Sequence, residues 1–389
     1  MSHNIALLNC SIHLLDRARQ LGLPIILIQP KSRMKPFCVE MSDHLLVYQD
    51  GKEDEAEFLN FLSYHNVSEV LTLSEASLEM CWRLNANLNS NVPPYPKVFK
   101  NKLFMREFLS ETPFGNVEYQ VVSSEKELAI VAEHVSYPVV LKPVSGSGSK
   151  GVVIAHDKSD MKLSSSSPHI VEQLILGDEF SVESVVTADQ RIHLAVTMKQ
   201  LFDRDGGCVV ERGHFILESY NKLSGNDIIR DFVDGVLQRV EASPGVYHTE
   251  VIMRDDIPHL VEIHKRVGGD YIPDLVAQST GVDLYTVALQ IAANRSVEVA
   301  QTELRGESGI LYLDKPEGRV SMVSGESILR TIPSICSFQI NVASGDYIKR
   351  PMSSSERIGY VQGFSVVRGK IKGDLLEAHN TIQVEYDKE

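Results

Sequence analysis

The chain has 389 residues, 43% of them hydrophobic, which is enough for two or three packed domains. Its formal net charge of −14 argues against a nucleic-acid-binding surface and against a general attraction to anionic lipid. No stretch approaches the ~20 apolar residues that a membrane-spanning helix requires. The segment from Met1 to Leu15 has no basic stretch ahead of an apolar run, so we expect no signal peptide.

The cysteines give no sign of a disulfide framework or a zinc site. They are far apart and form no CxxC pair: Cys10, Cys38, Cys81, Cys208 and Cys336. Such spacing is typical of reduced thiols in a cytosolic protein. The sequence therefore predicts a cytoplasmic protein that binds neither nucleic acid nor membrane.

The N-terminal region alternates between strand and helix patterns. Strands are predicted at residues 4–10, 23–29, 45–48 and 67–73, and helices at 12–21, 53–64 and 75–85. We expect Ser11 to cap the first helix, with Ile12, Leu15, Ala18 and Leu21 on its buried face. This alternation indicates a parallel sheet covered by helices. The proline-rich segment 92–96 breaks the pattern, and a domain boundary is predicted there.

The rest of the chain has a mixed pattern. A short helix is predicted at 101–109, strands at 117–122, 138–143, 151–155, 245–253 and 259–264, and helices at 226–241 and 283–293. The helix at 226–241 has the clearest apolar face. Short strands and Gly/Pro turns in the last part predict a small α+β appendage.

A glycine loop runs from Ser145 to Gly151 and satisfies the GxGxxG pattern. A dinucleotide fingerprint should open a helix, whereas the residues after this loop have a strand pattern. A glycine loop between two strands suits a flap whose backbone N–H groups approach phosphate oxygens. A flexible hairpin tip without function is the alternative.

Acidic residues follow in the segment 171–182, where a strand leads through a turn to another strand. Backbone groups in such a hinge can bind the edge of adenine, and the carboxylate of Glu179 can accept hydrogen bonds from ribose hydroxyls. A solvated strand edge would explain each carboxylate singly.

Two more glutamates, Glu250 and Glu262, lie on predicted adjacent strands joined by a short turn. If both side chains point the same way, they offer the hard oxygen ligands that Mg²⁺ prefers, with nucleotide phosphates completing the shell. Glu262, His264 and Arg266 alternate, so we expect all three on one strand face. There the guanidinium of Arg266 can stabilise charge on a transferring phosphoryl group. A cross-strand ladder of ion pairs is the alternative.

These segments, in this order, resemble the ATP-grasp superfamily, and within it the branch of L-amino-acid ligases and dapdiamide-synthetase-like enzymes. The resemblance implies an α/β Rossmann-like domain at 1–98, an ATP-grasp fold of two α+β subdomains at 99–295, and a C-terminal α+β lobe at 296–389. It also implies a nucleotide site formed by Lys102, Lys142, Ser145, Gly146, Ser147, Gly148, Gly151, Glu172, Gln173, Ile175 and Glu179. Within that site, Glu172 with the backbone of Gln173 and Ile175 corresponds to the adenine hinge.

The resemblance further assigns Glu250 and Glu262 to the metal, and Arg266 to the acyl-phosphate and its adduct. Gly268 and Gly269 would let the backbone approach the substrate carboxylate. His214 lies on a stretch that resembles the substrate-covering loop and is a candidate catalytic residue; an exposed loop histidine is the alternative.

The sequence departs from the family at His264, where the family usually has Asn two residues after the second metal carboxylate. Imidazole suits softer cations than Mg²⁺. Either His264 stays outside the ligand set and water replaces it, or it is a ligand and the site tolerates Mn²⁺.

The resemblance implies a carboxylate–amine ligase that uses ATP and Mg²⁺ to form an acyl-phosphate, which an amine then attacks. The expected partners are a small carboxylic acid and an amine, both of them amino acids in related enzymes, and a homodimer is compatible with the sequence. A small-molecule kinase and a nucleotide-binding protein without turnover are the alternatives. Glu75 is a candidate for holding an amine, against the simpler interpretation of a helix-start carboxylate.

Overall fold

The N-terminal region folds around a four-stranded parallel sheet. The computed structural model of the chain describes residues 4–88, 92–146, 148–201, 210–222, 227–351 and 353–387. The first strands are β1 (Asn4–Leu8), β2 (Ile26–Pro30), β3 (His44–Tyr48) and β4 (Val67–Leu71). The helices are α1 (Ile12–Gln20), α2 (Pro36–Met41), α3 (Glu55–Tyr64) and α4 (Leu78–Asn87). The strand order is β3-β2-β1-β4, and all neighbours are parallel, as predicted.

Helices cover both faces of this sheet. Successive strand residues point to opposite faces, so they pack into different apolar clusters. Leu7 lies in one cluster with Leu14 of α1. Its neighbour Leu8 lies in another with Phe58 of α3. The predicted face of α1 is wrong at Ile12, which is 45% exposed while Leu14 is buried. The predicted helix at 75–85 begins at Leu78, after a 3₁₀ turn.

A second, antiparallel sheet follows a short helix. Its elements are α5 (Lys102–Leu109), β5 (Tyr119–Val122), α6 (Glu125–Ala132), β6 (Val139–Pro143), β7 (Val153–Ala155) and β8 (His169–Gln173). The strand order is β5-β8-β6-β7. Strands β6 and β7 pair antiparallel, with Val139 opposite Ala155. The glycine loop therefore joins two strands, as the sequence predicts.

The central sheet begins with β9 (Asp178–Val186), β10 (Arg191–Leu201), β11 (Glu211–Ile216), β12 (Gly245–Arg254) and β13 (Ile257–His264). Its helices are α7 (Ile228–Arg239), α8 (Ile272–Thr280) and α9 (Leu284–Ala292). Helix α7 packs its predicted apolar face, including Val233 and Val236, onto Val182 of β9. Helix α9 packs Leu289 into a cluster of the N-terminal region, which fixes the parallel sheet beside the central one.

The C-terminal segment extends the central sheet. Its elements are β14 (Glu307–Tyr312), β15 (Gly318–Ser324), α10 (Glu326–Leu329), β16 (Ile335–Ile340), β17 (Tyr347–Ile348), β18 (Gly359–Ser365), α11 (Ile371–Thr381) and β19 (Gln383–Tyr386). The central sheet has eight strands in the order β13-β12-β9-β10-β11-β14-β18-β16, and β17-β15-β19 form a separate sheet. The segment is thus tied to the main sheet through β14 and β18, whereas the domain limits remain predictions.

Two further expectations concern spanning helices and thiols. In the part of the chain that the structure describes, no helix is both long and apolar enough to cross a membrane. Cys10, Cys38, Cys81 and Cys336 are all free thiols, and Cys208 lies outside the described residues.

Candidate functional site

A cavity of about 550 Å³ is lined by residues from the N-terminal region, the antiparallel sheet β5-β8-β6-β7, the central sheet and the C-terminal segment. Most of the residues predicted for a nucleotide, metal or substrate line it: Lys102, Lys142, Gly146, Gly148, Glu172, Gln173, Ile175, Glu179, His214, Glu250, Glu262, Arg266, Gly268 and Gly269. Ser145, Gly151 and His264 do not line it, and Ser147 lies outside the described residues. The fold therefore brings segments far apart in sequence to one cavity.

The carboxylate of Glu172 holds two cations in the cavity wall. Its side chain is 5% exposed and contacts Lys142 Nζ at 2.5 Å and Arg106 Nε at 2.7 Å, through different oxygens. Burial by itself would raise the pKa of Glu172, but Arg106 and Lys142 outweigh burial and lower that pKa to about 2. Burial dominates at Lys142, whose pKa is lowered even though Glu172 stabilises its charge. An anionic ligand near Lys142 would add the second counter-charge that this cluster lacks.

We expect Glu172→Gln to lower the free energy of unfolding at neutral pH by about 3–5 kcal/mol, because it leaves two buried cations without their carboxylate. A carboxylate whose pKa is lowered by folding stabilises the protein at pH values above its unfolded-state pKa, which is ~4.3 for Glu. That stability is lost as the pH falls through the folded pKa of about 2. Urea unfolding between pH 7 and pH 2.5 measures the difference between wild type and variant. It should shrink below pH ~4.5; a constant difference would contradict the assigned charge state.

Glu250 and Glu262 lie directly opposite each other on the β12–β13 hairpin, as the sequence predicts. Both line the cavity, so the two carboxylates share one face of the hairpin. Lys199 Nζ lies 2.8 Å from Glu250 Oε2, and Lys102 Nζ lies 2.7 Å from Glu262 Oε2. Like charges on opposed strand residues repel, and these two lysines offset the repulsion.

Both carboxylates are held ionised. Burial would raise the pKa of Glu250, as would the nearby Glu262, but Lys199 and His248 hold that pKa well below the usual range. Burial likewise opposes ionisation of Glu262, and Lys102 with His264 lowers its pKa well below the usual range. Cation ligands must be deprotonated, so both glutamates meet that requirement near neutral pH.

Two carboxylates suit Mg²⁺ that also binds phosphate and water better than they suit an ion whose ligands all come from the protein. Mg²⁺ in phosphoryl-transfer sites is bound by one or two carboxylates together with water and phosphate oxygens. Within the described ranges, no three or more His, Cys, Asp or Glu side chains are grouped to hold a metal. Glu250 and Glu262 can therefore supply two oxygen ligands of an ion whose remaining ligands come from nucleotide and water.

A histidine contacts each of the two carboxylates, His264 at Glu262 and His248 at Glu250. His264 is buried; its Nε2 lies 3.1 Å from Glu262 Oε1, and its Nδ1 lies 3.1 Å from the carbonyl oxygen of Phe99. Opposite it on the hairpin, His248 contacts Glu250 at 3.0 Å and Glu183 at 2.6 Å. Burial would lower the pKa of His248, but Glu183 and Glu250 raise it to about 9. His264 is outside the cavity lining, which favours the alternative that it stays outside the ligand set and that water takes its place.

Arg266 reaches from the end of β13 to the N-terminal region. Its Nε donates to Glu75 Oε2 at 2.8 Å, and a second guanidinium nitrogen lies 2.6 Å from the same oxygen. The prediction that Glu262, His264 and Arg266 share one strand face is wrong only in placing Arg266 on the strand, because β13 ends at His264. Glu262 and Arg266 line the cavity and His264 does not. Glu75 begins a 3₁₀ turn and also lines the cavity.

The glycine loop lies over the cavity. Gly148 has φ 66°, in the left-handed region that glycine adopts without strain, and the neighbouring Ser149 has φ 58°. Lys102 Nζ donates to the carbonyl oxygen of Gly146 at 3.2 Å. At the loop's far end, a Cβ on Gly151 would lie 2.5 Å from Ser164 Oγ. Gly151 is thus a packing position beside β7 and does not line the cavity.

The hinge between β8 and β9 also lines the cavity, through Gln173, Ile175 and Glu179. The backbone N–H of Gln173 donates to the carbonyl oxygen of Glu118 at 3.1 Å. This N–H is therefore already paired, and a contact between adenine and the other backbone groups of Gln173 and Ile175 stays a prediction.

His214 is not on a loop, which corrects both sequence interpretations of this residue. It lies in β11, between β10 and β14, and is buried. It lines the cavity, and its Nε2 lies 3.2 Å from Asp270 Oδ2.

Several residues in the cavity or beside it were missed by the sequence analysis. Arg106 lies four residues after Lys102 on α5, so helical spacing alone could have placed both cations on one face. Lys199 lies in β10, for which no strand was predicted. Asp270 and Arg357 form an ion pair across 87 residues of sequence, and no local signal identifies such a pair.

Comparison with known proteins gives a consistent family. Residues 98–270 match the model of the ATP-grasp domain. Dapdiamide A synthase from Enterobacter agglomerans is 23% identical over 334 residues, covering 80% of this chain and 77% of that protein. The L-arginine-specific L-amino acid ligase from Bacillus subtilis is 23% identical over 343 residues, covering 84% and 82%.

A solved structure extends the likeness to almost the whole chain. The crystal structure of an L-amino acid ligase from Bacillus licheniformis superposes with a TM-score of 0.83 at 19% identity. The superposition covers 99% of both chains. The N-terminal sheet and the C-terminal segment are thus part of the shared fold, beyond the matched domain.

Proposed function

Because residues 98–270 match the ATP-grasp domain, we propose that the chain is an ATP-dependent carboxylate–amine ligase. The observation that carries this proposal is the opposed pair Glu250 and Glu262, which shares one cavity with Lys102, Lys142 and the glycine loop. Two ionised oxygen ligands beside two lysines suit the triphosphate of a nucleotide with its metal.

The residues divide into three groups by the part of the reaction they serve. The nucleotide would be held by the predicted residues that line the cavity, within a domain at 99–295: Lys102, Lys142, Gly146, Gly148, Glu172, Gln173, Ile175 and Glu179. Glu250 and Glu262 would hold Mg²⁺, which lowers the charge on the phosphates when bound. Arg266, Gly268, Gly269 and His214 would contact the acyl group.

The proposed reaction has two steps. A carboxylate oxygen of the acid attacks the γ-phosphorus of ATP, the bond to the β–γ bridging oxygen breaks, and ADP leaves. The amine nitrogen then attacks the acyl carbon and loses a proton, and phosphate leaves with one of the original carboxylate oxygens. The chain's own side chains position the reactants, stabilise charge on the transferring group and exclude water.

The relatives that make dapdiamide or join L-amino acids suggest amino acids as the acid and the amine. A panel of amino acids and other carboxylic acids with ATP, Mg²⁺ and hydroxylamine tests the proposal, because hydroxylamine converts an acyl-phosphate to a hydroxamate. We expect hydroxamate, ADP and phosphate in equal amounts. Stoichiometric AMP would instead indicate an adenylating enzyme, and a phosphorylated product without hydroxamate would indicate a small-molecule kinase.

Glu179→Ala tests the nucleotide site independently of the reaction. Glu179 lines the cavity at the start of β9, where its carboxylate can accept hydrogen bonds from a ribose. Losing a hydrogen bond to a charged group costs about 1.5–3 kcal/mol, so the Kd for ATP should rise about 10- to 150-fold. Calorimetric titration measures this Kd. An unchanged Kd in a folded variant would return Glu179 to the role of a solvated strand edge.

A further inference from the structure

The turn that follows Gly268 and Gly269 has a backbone that needs outside support. Asp270 and Tyr271 are consecutive non-glycine residues with φ of 53° and 63°, in the left-handed region. Such backbone persists only where surrounding contacts hold it. A Cβ on Gly268 would lie 2.9 Å from His248 Nδ1, whereas a Cβ on Gly269 would meet nothing within 4 Å. Gly269 therefore presents an open side where it lines the cavity.

The support comes from the C-terminal segment. Arg357 donates two hydrogen bonds to the carboxylate of Asp270, at 2.8 Å and 2.5 Å. The Arg357 side chain is 8% exposed, and its guanidinium lies 3.5 Å from the ring centroid of Tyr312. The hydroxyl of Tyr312 donates to the backbone carbonyl of Asp270 at 3.3 Å. A planar guanidinium with two parallel hydrogen bonds fixes a carboxylate in orientation as well as in position.

The same carboxylate orients His214. Its Oδ2 accepts from Arg357 and lies 3.2 Å from His214 Nε2. Because Asp270 is ionised, with its pKa held well below the usual range against burial by His214 and Arg357, this contact keeps the proton on Nε2. Nδ1 of His214 is buried and has no hydrogen-bond partner among the described residues.

A second contact ties the same C-terminal turn to the cavity. Arg357 Nε donates to the carbonyl oxygen of Ser354, and Ser354 Oγ donates to Glu211 Oε2 at 3.0 Å. Ser354 itself lines the cavity and faces the glycine loop, because a Cβ on Gly148 would lie 4.0 Å from its Oγ. The turn therefore contributes to the cavity wall directly and through Asp270.

We propose that Arg357 is a positioning residue that acts through Asp270, holding the Gly268–Gly269 backbone and the His214 imidazole against the acyl substrate. This pair, the Arg357–Asp270 clamp, rests on the proposed function for its effect on catalysis. It serves binding and orientation of the acid, and the further polar contacts of its two side chains are with His214, Ser354 and Glu211. The C-terminal segment is thereby part of the active site.

Three variants test the clamp: Asp270→Asn, Arg357→Met and Arg357→Lys. Misplacing a reacting group by about 1 Å can cost ~10²-fold, so Asp270→Asn and Arg357→Met should lower kcat/KM for the acid by about that factor. The Kd for ATP should change far less than kcat/KM, since the substitutions leave every residue proposed to hold the nucleotide in place. Arg357→Lys keeps the charge but loses the paired hydrogen bonds, so its kcat/KM should be intermediate.

Amide hydrogen exchange gives a readout that needs no activity. Exchange in the peptide covering residues 266–276 should be faster in Asp270→Asn and Arg357→Met, and unchanged in the hairpin at 245–264. Arg368→Met is the matched control, because Arg368 also pairs with a carboxylate, Glu218 at 2.6 Å, but its side chain is 68% exposed. It should match wild type in all measurements.

The outcomes separate the clamp from the proposed function. Unchanged exchange at 266–276 in Asp270→Asn and Arg357→Met overturns the clamp, as does an equal loss of acid and ATP binding. Faster local exchange with selective loss of kcat/KM for the acid supports it. If wild type forms no hydroxamate with any acid, the proposed function fails, while hydrogen exchange still decides whether Arg357 holds the turn. Should Arg357→Met not fold, Asp270→Asn carries the same comparison.

Discussion

Arg266→Met is expected to bind ATP with magnesium nearly as wild type does and to lose hydroxamate and amide formation by about 10²–10³-fold. Methionine keeps much of the side-chain length but removes the cation that would stabilise charge on the acyl-phosphate. Arg266 lines the cavity near the glycine backbone of residues 268–269 and pairs with Glu75 of the N-terminal region. The loss should therefore appear in the chemical step. Calorimetric nucleotide binding beside a hydroxamate assay measures both quantities.

A structural role for Arg266 must be separated from this chemical one, because Arg266 also pairs with Glu75. The double variant Arg266→Met/Glu75→Gln removes the carboxylate left without its cation, so it should regain stability without regaining activity. Arg254→Met is the matched control, since Arg254 lies on the same hairpin with a side chain that is 53% exposed. Full activity of Arg266→Met would reduce Arg266 to an ion-pair partner.

Glu262→Gln should impair every ATP-dependent step and raise the magnesium concentration that the reaction requires. The substitution keeps size and hydrogen bonding but removes the negative charge that Mg²⁺ needs. Changing residues around a metal ligand costs about 10–100-fold in metal affinity, so loss of the ligand's own charge should cost at least about tenfold. Titration of activity with MgCl₂ at fixed ATP measures the shift.

The control for Glu262→Gln is Asp256→Asn, in the exposed turn of the same hairpin. Asp256 has φ of 60°, which asparagine tolerates, so this variant should keep the wild-type magnesium requirement. If both variants need the same magnesium concentration as wild type, then Glu262 is not a metal ligand.

The sequence predicts the local features of this fold well because its patterns are local. The strands predicted at 4–10 and 23–29 overlap β1 and β2 because both have apolar runs, and the helix predicted at 226–241 contains α7 because of its apolar face. The glycine loop was assigned to a hairpin because a strand pattern follows it. The opposed carboxylates Glu250 and Glu262 could be foreseen because the short turn between their strands fixes the register to within a residue or two.

Features that depend on distant contacts could not be foreseen. Nothing near Glu172 indicates that it binds Arg106 from α5, and nothing near Asp270 indicates Arg357. His214 was expected on a loop because its stretch resembles the family's substrate-covering loop, whereas the structure places it in β11. Such contacts arise where sheets meet, and sequence patterns carry the periodicity of an element but not the identity of its neighbours.

Transfer of a carboxylate oxygen from the acid to phosphate would show that the acid is activated as an acyl-phosphate. With an acid labelled by ¹⁸O in its carboxylate, formation of an acyl-phosphate and attack by the amine should deliver one labelled oxygen to each phosphate released. Mass spectrometry of the phosphate, ADP and amide measures where the label goes. We expect singly labelled phosphate and unlabelled ADP, each in an amount equal to that of the amide. Label in AMP, or amide formed with unlabelled phosphate, would contradict activation as an acyl-phosphate.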